Sequence, residues 1–452
     1  MDSPIQIEYK LRDKDTLYFL HIPKTAGGTL ISYLDENFDL DQICRKHYWS
    51  EWFDDIPRDF SRYRLYRGEL GVSLNKFLNK KPMYLTVLRD PLKRTISHFE
   101  TLRRVLGPAV IDFFSKSNEI SDFITDPHYG LMLKNVQTRY LSLELDVPKI
   151  LESIEYRSKD FLIESISEFL SPNLSDSELI QIAKKNLASS AFVGIVEKFE
   201  ESLFLLYYTF GWKPKKTNLQ KNKSNTPINQ KEISEKTISK ILDFNKLDKE
   251  LYEYGKNIFE KRYSLMVNTL KEKYYESKFN NISFNEMMYE LLEKNYEERT
   301  YRDTNNTNQI ELYFHKKLVG TGWHSRENHN DTGKIFRWTG PEKISTIDLP
   351  LSRENDLIIE FRVLMSITPE ILKNLKVKIN NYEINLKILF NNQGITTFQG
   401  IISKHILQNG KNFSVLSFHV PKTLSPHDIN KNLADKRKIG MAIDYIKIKS
   451  IV

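Results

Sequence analysis

The sequence predicts an α/β domain with a parallel sheet flanked by helices, followed by a C-terminal all-β sandwich domain. Short apolar runs at Thr16 to Ile22 and Met83 to Leu88 have the length of buried strands, and each leads into a segment with helical spacing of apolar residues, an alternation that suits a parallel sheet. From Ser121 to about Ser277 helical patterns dominate; Ile238, Ile241 and Leu242 share one face, and Leu251, Tyr254, Ile258 and Phe259 resume the spacing after a break near Asn245. Farther on, the runs Ile344 to Leu349, Asp356 to Val363 and Tyr445 to Lys449 are separated by Gly, Pro, Asn and Asp at intervals that suit a sandwich.

At 452 residues the chain exceeds the size at which one core usually keeps growing, so two domains are expected. Between Tyr296 and Gln309 the composition turns to Arg, Asp, Thr and Asn without apolar periodicity. That stretch reads as a linker, 296–309, between domains at 1–295 and 310–452. No internal repeat is evident.

Lys and Arg number 67 against 59 Asp and Glu, a net charge of +8. This excess suits anionic ligands without choosing among nucleotide, sulfated glycan and nucleic acid. No basic run carries the interleaved aromatics of single-strand binding, so nucleic acid is not an expected partner. Cys44 is the single cysteine, which excludes an intrachain disulfide and a cysteine-based metal cluster and points to a reducing compartment. Met1 to Asp15 is polar, and no stretch of about eighteen apolar residues occurs. The expectation is a soluble, cytoplasmic chain without signal peptide or membrane span.

The first strand enters Phe19-Leu20-His21-Ile22-Pro23-Lys24-Thr25-Ala26-Gly27-Gly28-Thr29-Leu30, a Gly-containing turn that opens a helix. Gly27 and Gly28 let the backbone approach an anion, the helix N-terminus adds partial positive charge, Thr25 and Thr29 offer hydroxyls, and Lys24 supplies a full charge. A βα turn also uses Gly and Thr for capping alone, so residue types leave both readings open. A nucleotide P-loop would end in Gly-Lys-Thr/Ser; that ending is absent, which disfavours an NTPase or nucleotide kinase.

The second strand enters Tyr84-Leu85-Thr86-Val87-Leu88-Arg89-Asp90-Pro91-Leu92-Lys93-Arg94-Thr95-Ile96-Ser97-His98-Phe99. Asp90 suits a helix N-cap and Pro91 the first turn. Capping leaves Arg89 and Ser97 unexplained. Together they could grip one phosphate, with the forked donors of Arg and a neutral hydroxyl, and so tell a 3′-phosphorylated nucleotide from ATP.

The order Pro-Lys-Thr-Ala-Gly-Gly-Thr at 23–29 resembles the 5′-phosphosulfate loop of the carbohydrate sulfotransferases of the heparan 2-O and 6-O type, which use 3′-phosphoadenylyl sulfate (PAPS). The Arg89 block resembles that family's 3′-phosphate motif. The resemblance continues through Asn135-Val136-Gln137-Thr138-Arg139-Tyr140-Leu141, Phe192 to Leu203, and Asn245 with Asp248 to Tyr252, and so spans roughly Leu17 to Arg262. It implies a P-loop-like sulfotransferase fold, transfer of a sulfuryl group from PAPS to a hydroxyl of a carbohydrate or similar acceptor, and no metal. On that resemblance Lys24, Thr25, Ala26, Gly27, Gly28, Thr29 and Leu30 hold the 5′-phosphosulfate, Arg89 and Ser97 hold the 3′-phosphate, and Lys24 also neutralises charge on the bridging oxygen. Asn222-Lys223-Ser224 stands where the family has an Asn-x-Ser loop, although a Lys- and Asn-rich surface loop explains the same residues.

Members of that family show Gly-His shortly before the second block, whereas this chain reads Gly68-Glu69. Glu69 is therefore the candidate base, since a carboxylate can take a hydroxyl proton when its environment suits. The alternative is lost catalysis, leaving a nucleotide- or glycan-binding protein on the same fold. His98 reads as structural, and His47 and His128 lack any motif that would place them. In the C-terminal part, Gly322-Trp323-His324 with Glu327, Phe336 to Gly340 and Asp435 to Ile443 resemble a β-sandwich module appended to glycosyl- and sulfotransferases. Trp323 and Trp338 suit either a sugar platform or the sandwich core.

Overall fold

Leu17–Leu20 (β1) is buried at all four positions, as a strand covered on both faces must be. In the computed structural model, which describes residues 5–51, 62–105, 108–127, 129–144, 174–216, 233–301, 306–330, 332–392, 394–408 and 412–451, β1 leads through a turn into Gly27–Asp35 (α1). Leu65–Gly68 (β2) and Met83–Leu88 (β3) pair with it in parallel on either side. Asn222-Lys223-Ser224 and His128 lie outside the described residues.

After β3 come Pro91–Val105 (α2), Pro108–Phe114 (α3), Ile120–Thr125 (α4), Val136–Ser142 (α5) and Asp176–Ala188 (α6). Phe192–Ile195 (β4) then joins β3 in parallel, so the sheet order is β2-β1-β3-β4. Phe199–Phe210 (α7) follows and stops at Gly211, whose φ of 64° is the left-handed value a helix C-terminus favours. Glu235–Phe244 (α8) and Lys246–Tyr274 (α9) meet at Asn245, the break in the apolar spacing. Phe284–Tyr301 (α10) is the next long helix.

Two compact units result: residues 1–33 with 42–292, and residues 34–41 with 293–452. In the first, helices flank the parallel sheet, and Phe99, Phe113, Phe123 and Ile241 form an aromatic-rich cluster between α2, α3, α4 and α8. Residues 296–301 continue α10, with the Tyr296 ring stacked on Phe413 and its hydroxyl donating to Asp348 Oδ2 at 3.2 Å. That burial holds as helix a stretch whose composition carries no periodicity.

The second unit is antiparallel β. Its strands are Gln309–Tyr313 (β5), Glu327–Asn328 (β6), Ile335–Trp338 (β7), Ile344–Leu349 (β8), Leu357–Ser366 (β9), Lys376–Ile379 (β10), Tyr382–Ile384 (β11), Leu386–Asn392 (β12), Ile395–Ile402 (β13), Ser414–His419 (β14) and Met441–Ser450 (β15). Among the described residues they form a four-stranded sheet, β11-β10-β14-β8, and a seven-stranded one, β12-β13-β9-β15-β7-β6 with β5 beside β15. Alternate residues of both sheets, such as Ile347, Val377 and Phe418 from one and Ile359, Phe361 and Ile446 from the other, share one core, the arrangement of a sandwich. Trp323 lies edge-on to Phe314 and Phe418 and donates its indole N–H to the Thr346 carbonyl at 2.9 Å. Trp338 is buried. Of the two readings of these tryptophans, the structure realises the core.

Candidate functional site

Between β1 and α1 the chain doubles back with Lys24 and Ala26 at φ of 69° and 62°, values that non-glycine residues hold only where the surroundings fix them. Left-handed residues in such a turn aim backbone N–H groups toward one concavity, a shape that receives anions. Thr25, fully buried between them, donates its hydroxyl to the Ile22 carbonyl at 2.8 Å and so ties the turn. Thr29 and Leu30 both donate their N–H groups to the Ala26 carbonyl at 3.2 Å, and the Leu30 side chain lies in the core. Gly27 and Gly28 open α1, where N–H groups have no acceptor within the helix.

The two glycines differ in what surrounds them. A Cβ on Gly28 would meet nothing within 4 Å, whereas one on Gly27 would sit 1.8 Å from Nε2 of His21. Gly28 therefore borders open space, and Gly27 is bare because an imidazole occupies the place of its side chain.

The second turn touches the first. Arg89, just past β3, donates from Nη1 to the Lys24 carbonyl at 3.0 Å. Its Nε is buried with no partner among the described residues, a donor open to an acceptor from outside the chain, water or ligand. Asp90 accepts from the Lys93 N–H at 2.9 Å and so caps α2, while its own N–H donates to Glu197 Oε1 at 3.2 Å. Ser97 is half-buried in α2, and its hydroxyl has no partner among the described residues.

Behind Arg89 stands a chain of buried polar contacts. The Gln137 amide both accepts from the Arg89 N–H and donates to the Arg89 carbonyl, each at 2.9 Å. Asp248 accepts from the N–H groups of Gln137 and Thr138, at 3.0 and 2.7 Å, and from the Thr138 hydroxyl at 2.8 Å. In return, Asn135 Oδ1 accepts from the N–H groups of Leu247 and Asp248, and Asn245 Oδ1 from that of Asn135. The N-termini of α5 and α9 thus cap each other. Downstream, Ser202 closes the β4–α7 turn by accepting from the Ile195 N–H at 2.9 Å.

Positive charge converges on the Lys24 turn. Burial, then the charges of Arg104 and Arg89, push the Lys24 pKa below its ordinary value, with Glu69 opposing. Ser97, Thr101 and Arg104 follow one another along a single face of α2 at spacings of four and three. His98, on the same helix, accepts at Nδ1 from the fully buried Arg94 at 3.2 Å; burial, then Arg94 and Lys24, hold its pKa well below the usual value. Its surroundings thus favour the neutral imidazole.

Glu69 lies just past β2, its N–H donating to the His47 carbonyl at 2.8 Å and its Oε1 3.5 Å from His21 Nδ1. His47, which no motif placed, also accepts at Nε2 from Arg67 at 2.8 Å. A Cβ on Gly68 would press against the His47 carbonyl oxygen at 2.6 Å, so the glycine before Glu69 is needed for that approach. The geometry brings Lys24, Arg89 and Glu69 to one neighbourhood, and adds His21, Gln137 and Arg104. Lys24 links to His21 and Glu69 through their electrostatic influence. No hydrogen bond joins Ser97 to Lys24 or Arg89 among the described residues.

A family model described as "Sulfotransferase family" matches residues 8–255, more than half of the chain. The chain belongs to the sulfotransferase family. The match contains both turns and the α5–α9 caps, and residues 293–452 lie beyond it. This sulfotransferase-family chain is 24% identical to human heparan-sulfate 6-O-sulfotransferase 3, over 57% of its own length and 60% of that protein's. It is 27% identical to heparan-sulfate 6-O-sulfotransferase 1-B of Danio rerio over 58% of this chain and 70% of the relative, and 25% identical to human heparan-sulfate 6-O-sulfotransferase 1 over 57% and 68%. It therefore spans about three fifths to seven tenths of these relatives. Among solved structures, a family 35 carbohydrate binding module from Clostridium thermocellum aligns over 32% of this chain and all of its own, at 13% identity and a TM-score of 0.21, too low for any argument. No described helix is long and apolar enough to cross a membrane.

Proposed function

We propose that this protein transfers a sulfuryl group from PAPS to a hydroxyl of a glycan acceptor. The observation that carries the reading is the hydrogen bond from Arg89 Nη1 to the Lys24 carbonyl, which sets two anion-receiving turns side by side. A bisphosphorylated nucleoside is the kind of ligand that uses both. The N–H groups of Gly27 and Gly28, with the Lys24 ammonium, face the 5′ end. The unpartnered Nε of Arg89 and the hydroxyl of Ser97 serve the 3′-phosphate. The similarity to heparan-sulfate 6-O-sulfotransferases motivates a heparan-type glycan as the acceptor class.

The chemistry follows from the groups present. The acceptor oxygen attacks sulfur, the bond from sulfur to the bridging phosphate oxygen breaks, and adenosine 3′,5′-bisphosphate leaves with the electron pair. Lys24 stabilises the negative charge that gathers on the bridging oxygen. Glu69 takes the acceptor's proton. The donor set is cationic and amide-based, which suits an anion and offers no cluster of carboxylate and imidazole ligands among the described residues.

The test is radiolabelled sulfate transfer from PAPS to heparan sulfate, with titration calorimetry of adenosine 3′,5′-bisphosphate in parallel. Wild type should transfer label, and Lys24→Ala should abolish transfer while retaining part of the nucleotide affinity. Nucleotide binding without transfer in the wild type would select the binding-protein reading, which the Glu69 position alone favours.

A further inference from the structure

His21 directly follows β1, and its imidazole lies between two parts of the site. On one side Nδ1 is 3.5 Å from Glu69 Oε1. On the other, Nε2 fills the space where a side chain on residue 27 would stand. The ring stacks on Phe19 at 5.4 Å between centroids, and the His21 N–H donates to the Gly68 carbonyl at 3.2 Å, so both backbone and ring are fixed. The side chain is only 14% exposed.

We infer that His21 is a positioning residue: its Nδ1–H holds the Glu69 carboxylate toward the acceptor hydroxyl, and Gly27 is glycine so that this ring fits. The inference rests on the reading of Glu69 as base. The opposite assignment, with His21 as base and Glu69 as its orienter, would need Nε2 to reach the acceptor hydroxyl. That nitrogen lies against Gly27 instead, 1.8 Å from where a Cβ there would stand. The charged or titratable groups acting on the imidazole are Glu69 after β2, Lys24 in the turn and His47 ahead of β2. Burial, then His47 and Lys24, hold the ring neutral, with a pKa pushed down to about 4, so one nitrogen donates and the other is bare. With Glu69 beside Nδ1, the proton belongs on that nitrogen.

The experiment uses the full chain with 15N-labelled histidine and four variants: His21→Leu, His21→Asn, Glu69→Ala and Glu69→Gln. Turnover is read as release of adenosine 3′,5′-bisphosphate from PAPS, with heparan sulfate as acceptor and with water alone. His21→Leu should lower kcat about 100-fold with nucleotide affinity unchanged, and His21→Asn, which keeps an N–H donor, should recover most of it. In a Glu69→Ala background, His21→Leu should add nothing further. The spectrum should show the Nδ1–H tautomer, and Glu69→Gln should shift that resonance. An equal loss from His21→Leu in both backgrounds, or an Nε2–H tautomer unmoved by Glu69→Gln, overturns the inference. Wild-type turnover in Glu69→Ala overturns the base assignment instead, while the spectrum still reports the contact. Should His21→Leu not fold, His21→Asn and the spectrum carry the test.

Discussion

The side-chain amide of Gln137 pairs with the backbone of Arg89 as a neighbouring strand would, giving and receiving one hydrogen bond at 2.9 Å each. The chain leaves the sheet at Arg89, so its N–H and carbonyl would otherwise lose their partners. Gln137 thereby fixes the residue whose guanidinium reaches the Lys24 turn.

Gln137→Ala leaves two backbone groups of Arg89 unpaired. The expected effect is a loss of about 1–3 kcal/mol in stability, read by denaturant unfolding, together with weaker binding of adenosine 3′,5′-bisphosphate. Unchanged nucleotide affinity would show that Arg89 is held by other means.

Asp248 is fully buried and serves three donors of α5. Asp248→Ala strands all three, and the expected destabilisation is about 3 kcal/mol or more. Asp248→Asn keeps an acceptor oxygen and should cost less. Equal midpoints for the two variants would contradict the capping account.

The paired glycines should respond in opposite ways. Gly27→Ala collides with the His21 imidazole and should lower the unfolding midpoint and turnover together. Gly28→Ala meets nothing in the protein, so its midpoint should stay near wild type while nucleotide affinity falls, because the added methyl enters ligand space. Loss of stability in Gly28→Ala would show that the space is not free.

Stability should depend on pH through His21. Its pKa of about 4 in the fold lies below the 6.5 of a free histidine. Between those values the unfolded chain binds more protons, so stability rises with pH across the window and is lost as pH falls through it. At about 1.4 kcal/mol per pH unit, the group contributes on the order of 3 kcal/mol. His21→Asn should flatten the midpoint's pH dependence between about 4 and 6.5. Part of the slope will remain, because His98 is also buried neutral. Parallel slopes in wild type and variant would contradict the assignment.

Much of this site was legible in the sequence, because turn chemistry is local. Lys24, the two glycines and Arg89 sit at strand ends whose apolar runs are visible, and Asp90 and Pro91 announce the start of α2. What local pattern hides is the work done across the fold. Thr25 looks like a ligand donor but spends its hydroxyl on Ile22, and Leu30 carries its side chain into the core. His21 meets Glu69 only because β1 and β2 are neighbours in the sheet, His47 only because the segment from Ile43 runs beside β2, and Leu65–Gly68 is too short to stand out as a strand. Asn135, Gln137, Asn245 and Asp248 resemble family motifs, but nothing in their local sequence shows what they hold. Their role as reciprocal caps depends on two helix ends separated by more than a hundred residues. Arg104 could have been found by carrying the Ser97 face of α2 two turns further.

On the proposed function, the Lys24 and Arg89 turns hold one nucleotide by both its phosphates. Titration calorimetry of adenosine 3′,5′-bisphosphate against adenosine 5′-monophosphate, in wild type and Arg89→Ala, decides whether they do. Wild type should prefer the bisphosphate at least tenfold, about 1.4 kcal/mol, and Arg89→Ala should erase that preference while still binding the monophosphate. Equal affinities for the two nucleotides in the wild type, or a preference that survives in Arg89→Ala, would contradict the account.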